Sequence, residues 1–340
     1  MIIAYFGFII YGMDKGLKIC TIGGGSGMPV VNKGLVAAGF KNIKSVVTTF
    51  DSGGDTGRIR TDERGKVLAF SDYWRSLVSL WPDGEQKKIW QELLVFRDGR
   101  GRNFGNLFFQ FMAEKTGNLS KVDELFSDLV SMKLVGKVIP VSLRSSQICF
   151  ETVSGKKYRG EHNLDGLRMS GDRVVSMWLE PEVRANGEAI NALNEADVIV
   201  VCPGSIYGSV LVNFLPKGMA EAFLESKARK ILIANIIVSA NEGDELDQDG
   251  YVALFSKYLG RRADFDFVLM ADLSVLNKKI LKTVLKFYEM EHAGLLVCRK
   301  KPKVKTVLAD VIVVENQNKR LRHDEKKLAE FFDSMEFDSF

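Results

Sequence analysis

Proline, histidine and cysteine are all scarce in this chain: its 340 residues include 7 Pro, 3 His and 4 Cys. The cysteines are Cys20, Cys149, Cys202 and Cys298. They lie far apart and form no Cys-x-x-Cys pair. That pattern suits reduced thiols rather than a disulfide framework, and it points to a cytoplasmic protein. Cys20 and Cys202 sit inside apolar runs and are expected to be buried. With only His162, His292 and His323, no Cys/His zinc site can be assembled. An excess of one charge is missing too: 47 Lys and Arg against 43 Asp and Glu leave a net +4. The chain therefore lacks the positive coat of a polyanion binder, and nucleic acid is not an expected partner. Long apolar runs are also absent. The opening MIIAYFGFIIYG is shorter than the roughly 20 residues of a spanning helix. It lacks the basic n-region and cleavage site of a signal peptide. Met13-Asp14-Lys15 reads like a natural start, so residues 1–13 are taken as a disordered tail or an upstream mis-start. No integral membrane segment is expected.

What is present is ordinary in amount. Hydrophobic residues make up 46% and charged residues 26%, which excludes disorder over the whole chain. Glycine, at 31 residues, is mildly enriched. Leu17–Ile22 reads as a strand ending in Gly23-Gly24-Gly25-Ser26-Gly27, followed by a helix from Met28 to Ala38. Ile43–Phe50 is a second strand, ending in Asp51-Ser52-Gly53-Gly54-Asp55-Thr56-Gly57. Strand, glycine loop, helix, strand is the signature of a βαβ unit and a parallel sheet. Apolar residues then recur at helical spacing, which predicts a helical insertion over about 62–135. Further strands are predicted at Lys137–Val141, Val174–Leu179, Asp197–Val201, Ile231–Ile237, Phe265–Met270, Leu295–Cys298 and Val311–Val314. Gln147–Val153 and Lys156–Arg159 read as a hairpin. Helices are expected at 187–194, 252–259, 278–290 and from His323 to about Ser334. The fold expected over 14–340 is one three-layer α/β/α Rossmann-like domain, its sheet mostly parallel, carrying the helical insertion.

Three loops at predicted strand ends could carry chemistry. Gly23–Gly27 offers unpaired N–H groups at a helix N-terminus, a place for phosphate. It is not the dinucleotide fingerprint, because Met28 stands where the third glycine belongs, and no Gly-Lys-Ser/Thr follows to make a P-loop. No acidic residue ends the second strand about 20 residues on, since Asp51 comes later and sits in its own Gly-rich loop, which disfavours a nicotinamide dehydrogenase. The plain alternative for this loop is tight packing of strand on helix. In the second loop, Arg58 and Arg60 could clamp phosphate oxygens, while Asp51 or Asp55 could hold Mg²⁺ or a sugar hydroxyl. The alternative there is a surface hairpin with scattered charges. The third loop, Val201-Cys202-Pro203-Gly204-Ser205-Ile206-Tyr207, offers N–H groups, a hydroxyl and an aromatic ring. Asn103-Phe104-Gly105-Asn106 opens a helix of the insertion, where Asn106 is either a cap or a ligand residue. Asp72 and Arg75 lie one helical turn apart, so an exposed ion pair competes with a site role. The basic run Arg299–Lys305 reads as a solvated turn beside a strand. Lys278, Lys279, Lys282 and Lys286 read as the wet face of a helix.

Taken in order, these segments resemble the 2-phospho-L-lactate transferases (CofD) and their YvcK-type gluconeogenesis-factor relatives. The match is carried by 22–27, 51–58, Asp72 with Arg75, 103–107, 136–140, Ala196–Tyr207, Asn235 and His323-Asp324. The Asp-x-Gly-Gly-x-x-Gly-Arg loop is closer to the YvcK branch. Departures lie at Ala69-Phe70-Ser71, Ser76 and Ile236–Ser239. The resemblance implies a cytoplasmic binder of UDP-sugars that supports gluconeogenic growth and cell shape, and it also implies a homodimer. The transferase branch would instead imply moving a 2-phospholactate-like group from a guanosine diphosphate carrier to a deazaflavin hydroxyl with Mg²⁺. On this reading the Gly23–Gly27 N–H groups hold the diphosphate with help from Arg58, and Met28, Ser52, Gly53 and Gly54 belong to the ligand-binding set. Asp51, Asp72 and Asn235 read hydroxyls, and Pro203, Gly204, Ser205 and Tyr207 line the base. Arg75, Asn103 and Asn106 complete the expected set. Asp51 and Asp72 are the catalytic candidates, and Asp51, Asp55 and Asp72 the candidate Mg²⁺ ligands.

Overall fold

The computed structural model describes residues 14–53, 56–57, 68–117, 119–131, 133–167, 171–243, 246–315 and 320–335. In chain order the strands are β1 Lys18–Gly23, β2 Asn42–Val47, β3 Gly136–Pro140, β4 Gln147–Thr152, β5 Lys157–Arg159, β6 Val174–Glu180 and β7 Val198–Val201. They continue as β8 Arg229–Ile233, β9 Ile237–Ser239, β10 Phe267–Ala271, β11 Ala293–Leu295, β12 Thr306–Ala309, β13 Ile312–Glu315 and β14 Arg320–His323. Seven of them form one sheet in the order β12-β10-β8-β7-β1-β2-β3. Every pairing within it is parallel.

Helices cover both faces of this sheet, so its strands are apolar on both sides. Cys20 and Ile22 of β1 pack into one core with Val46, Ile199 and Leu232. Ile19, one residue out of phase, joins the opposite core with Ile43, Val198 and Ile231. The strand period of two divides each run between the two cores. Burial of each such side chain contributes roughly 1.5–3 kcal/mol. Cys20 and Cys202 are fully buried as expected, Cys149 is buried as well, and Cys298 is exposed.

Between β2 and β3 the described residues form helices Ser71–Ser79, Glu85–Val95, Phe104–Thr116 and Val122–Val130. Trp81, Phe109 and Phe126 are buried among them, with Trp90 and Phe108 packed edge to face or tilted against the others. Asp123 ties this layer to the sheet. Its buried carboxylate accepts the Tyr73 hydroxyl and, at 2.8 Å, the Val138 N–H of β3. Burial lifts the Asp123 pKa to about 7, although both hydrogen bonds pull it down.

Several elements depart from the sequence reading. The run 231–237 is not one strand: β8 stops at Ile233, and β9 pairs antiparallel with β11 outside the main sheet. Asn235 lies in the break and bonds to another loop, which draws the chain off the sheet axis. The strand predicted at 174–179 forms as β6 but lies outside the main sheet. It joins the β4–β5 hairpin in an antiparallel sheet of order β5-β4-β6. The edge strand β12, directly after the exposed basic turn 299–305, was not anticipated.

Candidate functional site

The C-terminal ends of β1, β2 and β7 lie side by side, so the three loops that follow them converge. This is where ligands bind in open α/β sheets. Gly25 has φ +62°, a left-handed turn that glycine adopts without strain. A side chain at Gly27 would sit 2.0 Å from the Pro203 carbonyl oxygen, and one at Gly24 would sit 2.6 Å from both Asp72 Oδ2 and Thr48 Cγ2. These two glycines are therefore demanded by close approach of the first loop to the third loop and to Asp72. Ser26 is exposed at the N-terminus of helix Gly27–Ala37 and makes no side-chain cap there.

Two asparagines fasten these loops. Asn235 accepts the Gly204 N–H at 3.0 Å and returns a bond to the Gly204 carbonyl at 2.7 Å. The amide expected to read sugar hydroxyls is thus engaged at both ends by the third loop. Asn213, fully buried, donates to Ser209 O at 2.8 Å and to Gly23 O at 3.2 Å, joining the end of β1 to the turn Ile206–Val210.

The wall opposite the glycines is acidic. Asp51 accepts the Gly53 N–H at 2.8 Å and the Ser71 hydroxyl at 2.7 Å. Asp72 is buried in the first turn of helix Ser71–Ser79 and accepts the Gly25 N–H. Arg75 approaches it to 3.7 Å and lies over the Trp74 ring. Burial raises the Asp72 pKa to about 6, and the Asp51 charge adds to it. The Gly25 N–H and Arg75 oppose the shift. Glu161, between β5 and helix His162–Leu167, hydrogen-bonds Asp51. Burial lifts its pKa to about 8, helped by Asp51 and Asp165. Ser52 bonds His162 Nδ1 at 3.2 Å, fixing the second loop to that same helix. Glu242 accepts the Ser205 hydroxyl at 2.6 Å and the Ile206 N–H at 2.9 Å, taking up donors of the third loop.

Gly24, Gly25, Asp51, Ser52, Gly53, Asp72, Pro203, Gly204 and Ser205 thus belong to one cluster of loops. Three expected ligand residues do not present their side chains there. Met28 is buried in the core, its sulfur accepting the Ser76 hydroxyl. Tyr207 is buried, packs against Tyr258 and donates to the Val174 carbonyl at 3.2 Å, so it lines no base. Asn103 caps helix Phe104–Thr116 by accepting the Asn106 N–H, and it donates to the Leu94 carbonyl. Asn106 is not the cap. It accepts the Trp74 indole N–H at 2.9 Å and donates to Thr56 Oγ1 at 3.3 Å, linking the helical layer to the second loop. Gly54, Asp55, Arg58 and Arg60 lie outside the described residues.

Glu161 and Glu242 escaped the sequence reading. Neither sits in a motif, and only the antiparallel hairpin and the bend after β8 carry them to the site. Among the described residues no group of three or more His, Cys, Asp or Glu side chains is arranged to hold a metal ion. Asp51 and Asp72 remain as a pair. That suits Mg²⁺, which usually takes one or two carboxylates and completes its shell with water and phosphate.

The sequence model of the family described as "2-phospho-L-lactate transferase CofD" matches residues 19–327. A gluconeogenesis factor of Halalkalibacterium halodurans is 31% identical over 326 residues, covering 93% of this chain and 95% of the relative. One from Listeria innocua is 31% identical over 253 residues, covering 72% and 74%. A crystal structure of a UPF0052-family protein from Bacillus halodurans superposes with a TM-score of 0.80 at 27% identity, covering 93% of this chain and 99% of the other. Among the described residues no helix is long and apolar enough to cross a membrane.

Proposed function

Since this chain belongs to the CofD family and its relatives include gluconeogenesis factors, we propose that it is a cytoplasmic UDP-sugar-binding protein of the YvcK type, supporting gluconeogenic growth and cell-shape regulation. The observation that carries the proposal is the convergence of Gly23–Gly27, Asp51–Gly53 and Pro203–Ser205 at one rim of the sheet. Backbone N–H groups at the head of helix Gly27–Ala37 would receive the diphosphate. Asp51 would read a ribose or sugar hydroxyl. The acidic wall would repel a bare diphosphate, so Mg²⁺ held by Asp51 and Asp72 fits the ligand's charge. When bound, the ion supplies neutralisation of the phosphate oxygens. Calorimetric titration with UDP-N-acetylglucosamine, UDP-glucose and GDP, each with Mg²⁺ or EDTA, tests this. Saturable binding of a UDP-sugar is expected; failure of all three to bind up to millimolar concentration would sink it.

A second reading is favoured by the family description and by Asp72 and Glu161, whose pKa values of about 6 and 8 suit proton transfer near neutrality. There the same pocket holds a guanosine diphosphate carrier, and the acceptor hydroxyl of a deazaflavin displaces GMP. GMP release in the presence of that acceptor separates the two readings.

A homodimer belongs to the same proposal. Ile89 with Leu93, Leu107 with Phe111 and Leu125 with Leu129 are exposed i,i+4 pairs on three successive helices. They are interspersed with charges of both signs, Lys88, Glu92, Glu114, Lys115, Glu124 and Asp128. A second copy meets both needs, since a two-fold contact pairs one patch with itself. Sedimentation of wild type against Phe111→Glu tests it: a dimer is expected only for the wild type.

A further inference from the structure

The N-terminal ends of the same strands enclose a cleft of about 280 Å³. It opens where β1, β2 and β3 begin, at the rim opposite the glycine loops. Lys18, Lys41, Lys44 and Lys137 line it, with Glu195 as the one carboxylate among the lining residues. Four ammonium groups against one carboxylate is a local excess that the whole chain, 47 against 43, does not have.

The existing ion pairs do not neutralise that excess. Lys44 pairs with Glu195 at 2.7 Å, and Lys137 pairs with Glu188 at 2.8 Å. Lys18 adds to Lys44 in holding the Glu195 carboxyl below its usual range, so this single acid already serves two lysines. Lys18 and Lys41 are exposed and form no ion pair among the described residues. The apolar part of the lining includes Ala192, which is buried, and Ala196, which is half-buried. The cleft is also closely built: a side chain at Gly136 would stand 2.1 Å from the Ile43 carbonyl oxygen, so β2 and β3 meet there without slack.

We propose that this cleft is a second binding site, for a small organic polyanion such as a polycarboxylate or a phosphorylated acid. The apolar part of the lining accommodates a short carbon skeleton, and the lysines answer two or more anionic groups at its ends. A volume of about 280 Å³ lies just below the usual range for ligand pockets, about 300–1,000 Å³, and admits a small metabolite rather than a macromolecule. A six-residue strand is roughly 20 Å long, so an occupant here would sit well away from the glycine loops at the far end of β1. The assignment does not depend on the nucleotide-sugar reading.

The test is calorimetric titration of the full chain at low salt with citrate and, separately, with pyrophosphate. Three proteins are compared: wild type, Lys18→Gln/Lys41→Gln, and the control Lys282→Gln/Lys286→Gln, whose lysines are exposed on helix Lys278–Met290. At least one anion is expected to bind saturably to wild type and control, and at least ten-fold more weakly to the first variant. The anion that binds identifies carboxylate or phosphate as the preferred group. Absence of saturable binding by either anion up to about 10 mM overturns the proposal. So does equal weakening in both variants, which would mark general charge attraction. UDP-sugar titration of Lys18→Gln/Lys41→Gln, expected to match wild type, keeps a failure here distinct from a failure of the nucleotide reading.

Discussion

At one end of the central sheet Asp51, Asp72 and Glu161 crowd against glycine loops, whereas at the other Lys18, Lys41, Lys44 and Lys137 ring an open cleft. Asp72 and Glu161 are largely shielded from water, so burial governs their titration. The lysines are mostly solvated, and their ion pairs are of the exposed kind that salt screens. One sheet therefore presents a rim that responds to pH and a rim that responds to ionic strength.

The largest break in this contrast should come from Gly27→Val. Its Cβ would overlap the Pro203 carbonyl, which forces the first and third loops apart. A loss of about 3 kcal/mol in urea unfolding is expected, together with loss of measurable UDP-sugar binding in a titration. Asn235→Ala should cost less, about 2 kcal/mol, because it leaves both polar groups of Gly204 without their partner. Asn235→Asp keeps the acceptor and loses the donor, so its unfolding free energy should fall between wild type and alanine.

Glu161→Gln sharpens the comparison through pH. The folded pKa of Glu161, about 8, lies above its ordinary 4.5, so the native state holds the proton more tightly than the unfolded chain. Stability from this group is full below pH 4.5 and is lost as pH rises through 8. Glutamine should abolish that loss. Melting temperatures are expected to match at pH 4.5 and to favour the variant at pH 8.5 by several degrees, since each pKa unit separating folded from unfolded chain corresponds to about 1.4 kcal/mol. An identical pH slope in both proteins would contradict the burial of Glu161 against Asp51. The smallest effect should be at the opposite rim. Lys44→Met removes the exposed pair with Glu195 and should change stability by about 0.5 kcal/mol or less, the difference vanishing in 1 M NaCl.

The parallel sheet could be read from the sequence because its signals are local. β-branched runs such as Val198–Val201 and the glycine punctuation after them need no knowledge of distant residues. The same holds for the three loops. Side-chain roles were less legible. Tyr207 beside a glycine turn looks like a platform for a base, yet its ring is taken up by Tyr258 and the core. Asn235 looks like a ligand reader, yet Gly204 uses both ends of its amide. Asn103 rather than Asn106 is the helix cap, because the cap depends on where the helix starts.

By itself, then, the sequence determined a three-layer α/β fold, the positions of its phosphate-sized turns and the burial of Cys20 and Cys202. Each follows from periodicity or from the conformational freedom of glycine, which are properties of short segments. Only the tertiary structure decided that β6 leaves the main sheet, that Glu161 and Glu242 reach the glycine loops, and that four lysines from three strand ends surround one cleft. Many of those are encounters between residues more than a hundred positions apart. Their energies come from burial and from charges meeting in space, and no local pattern of residue types encodes them.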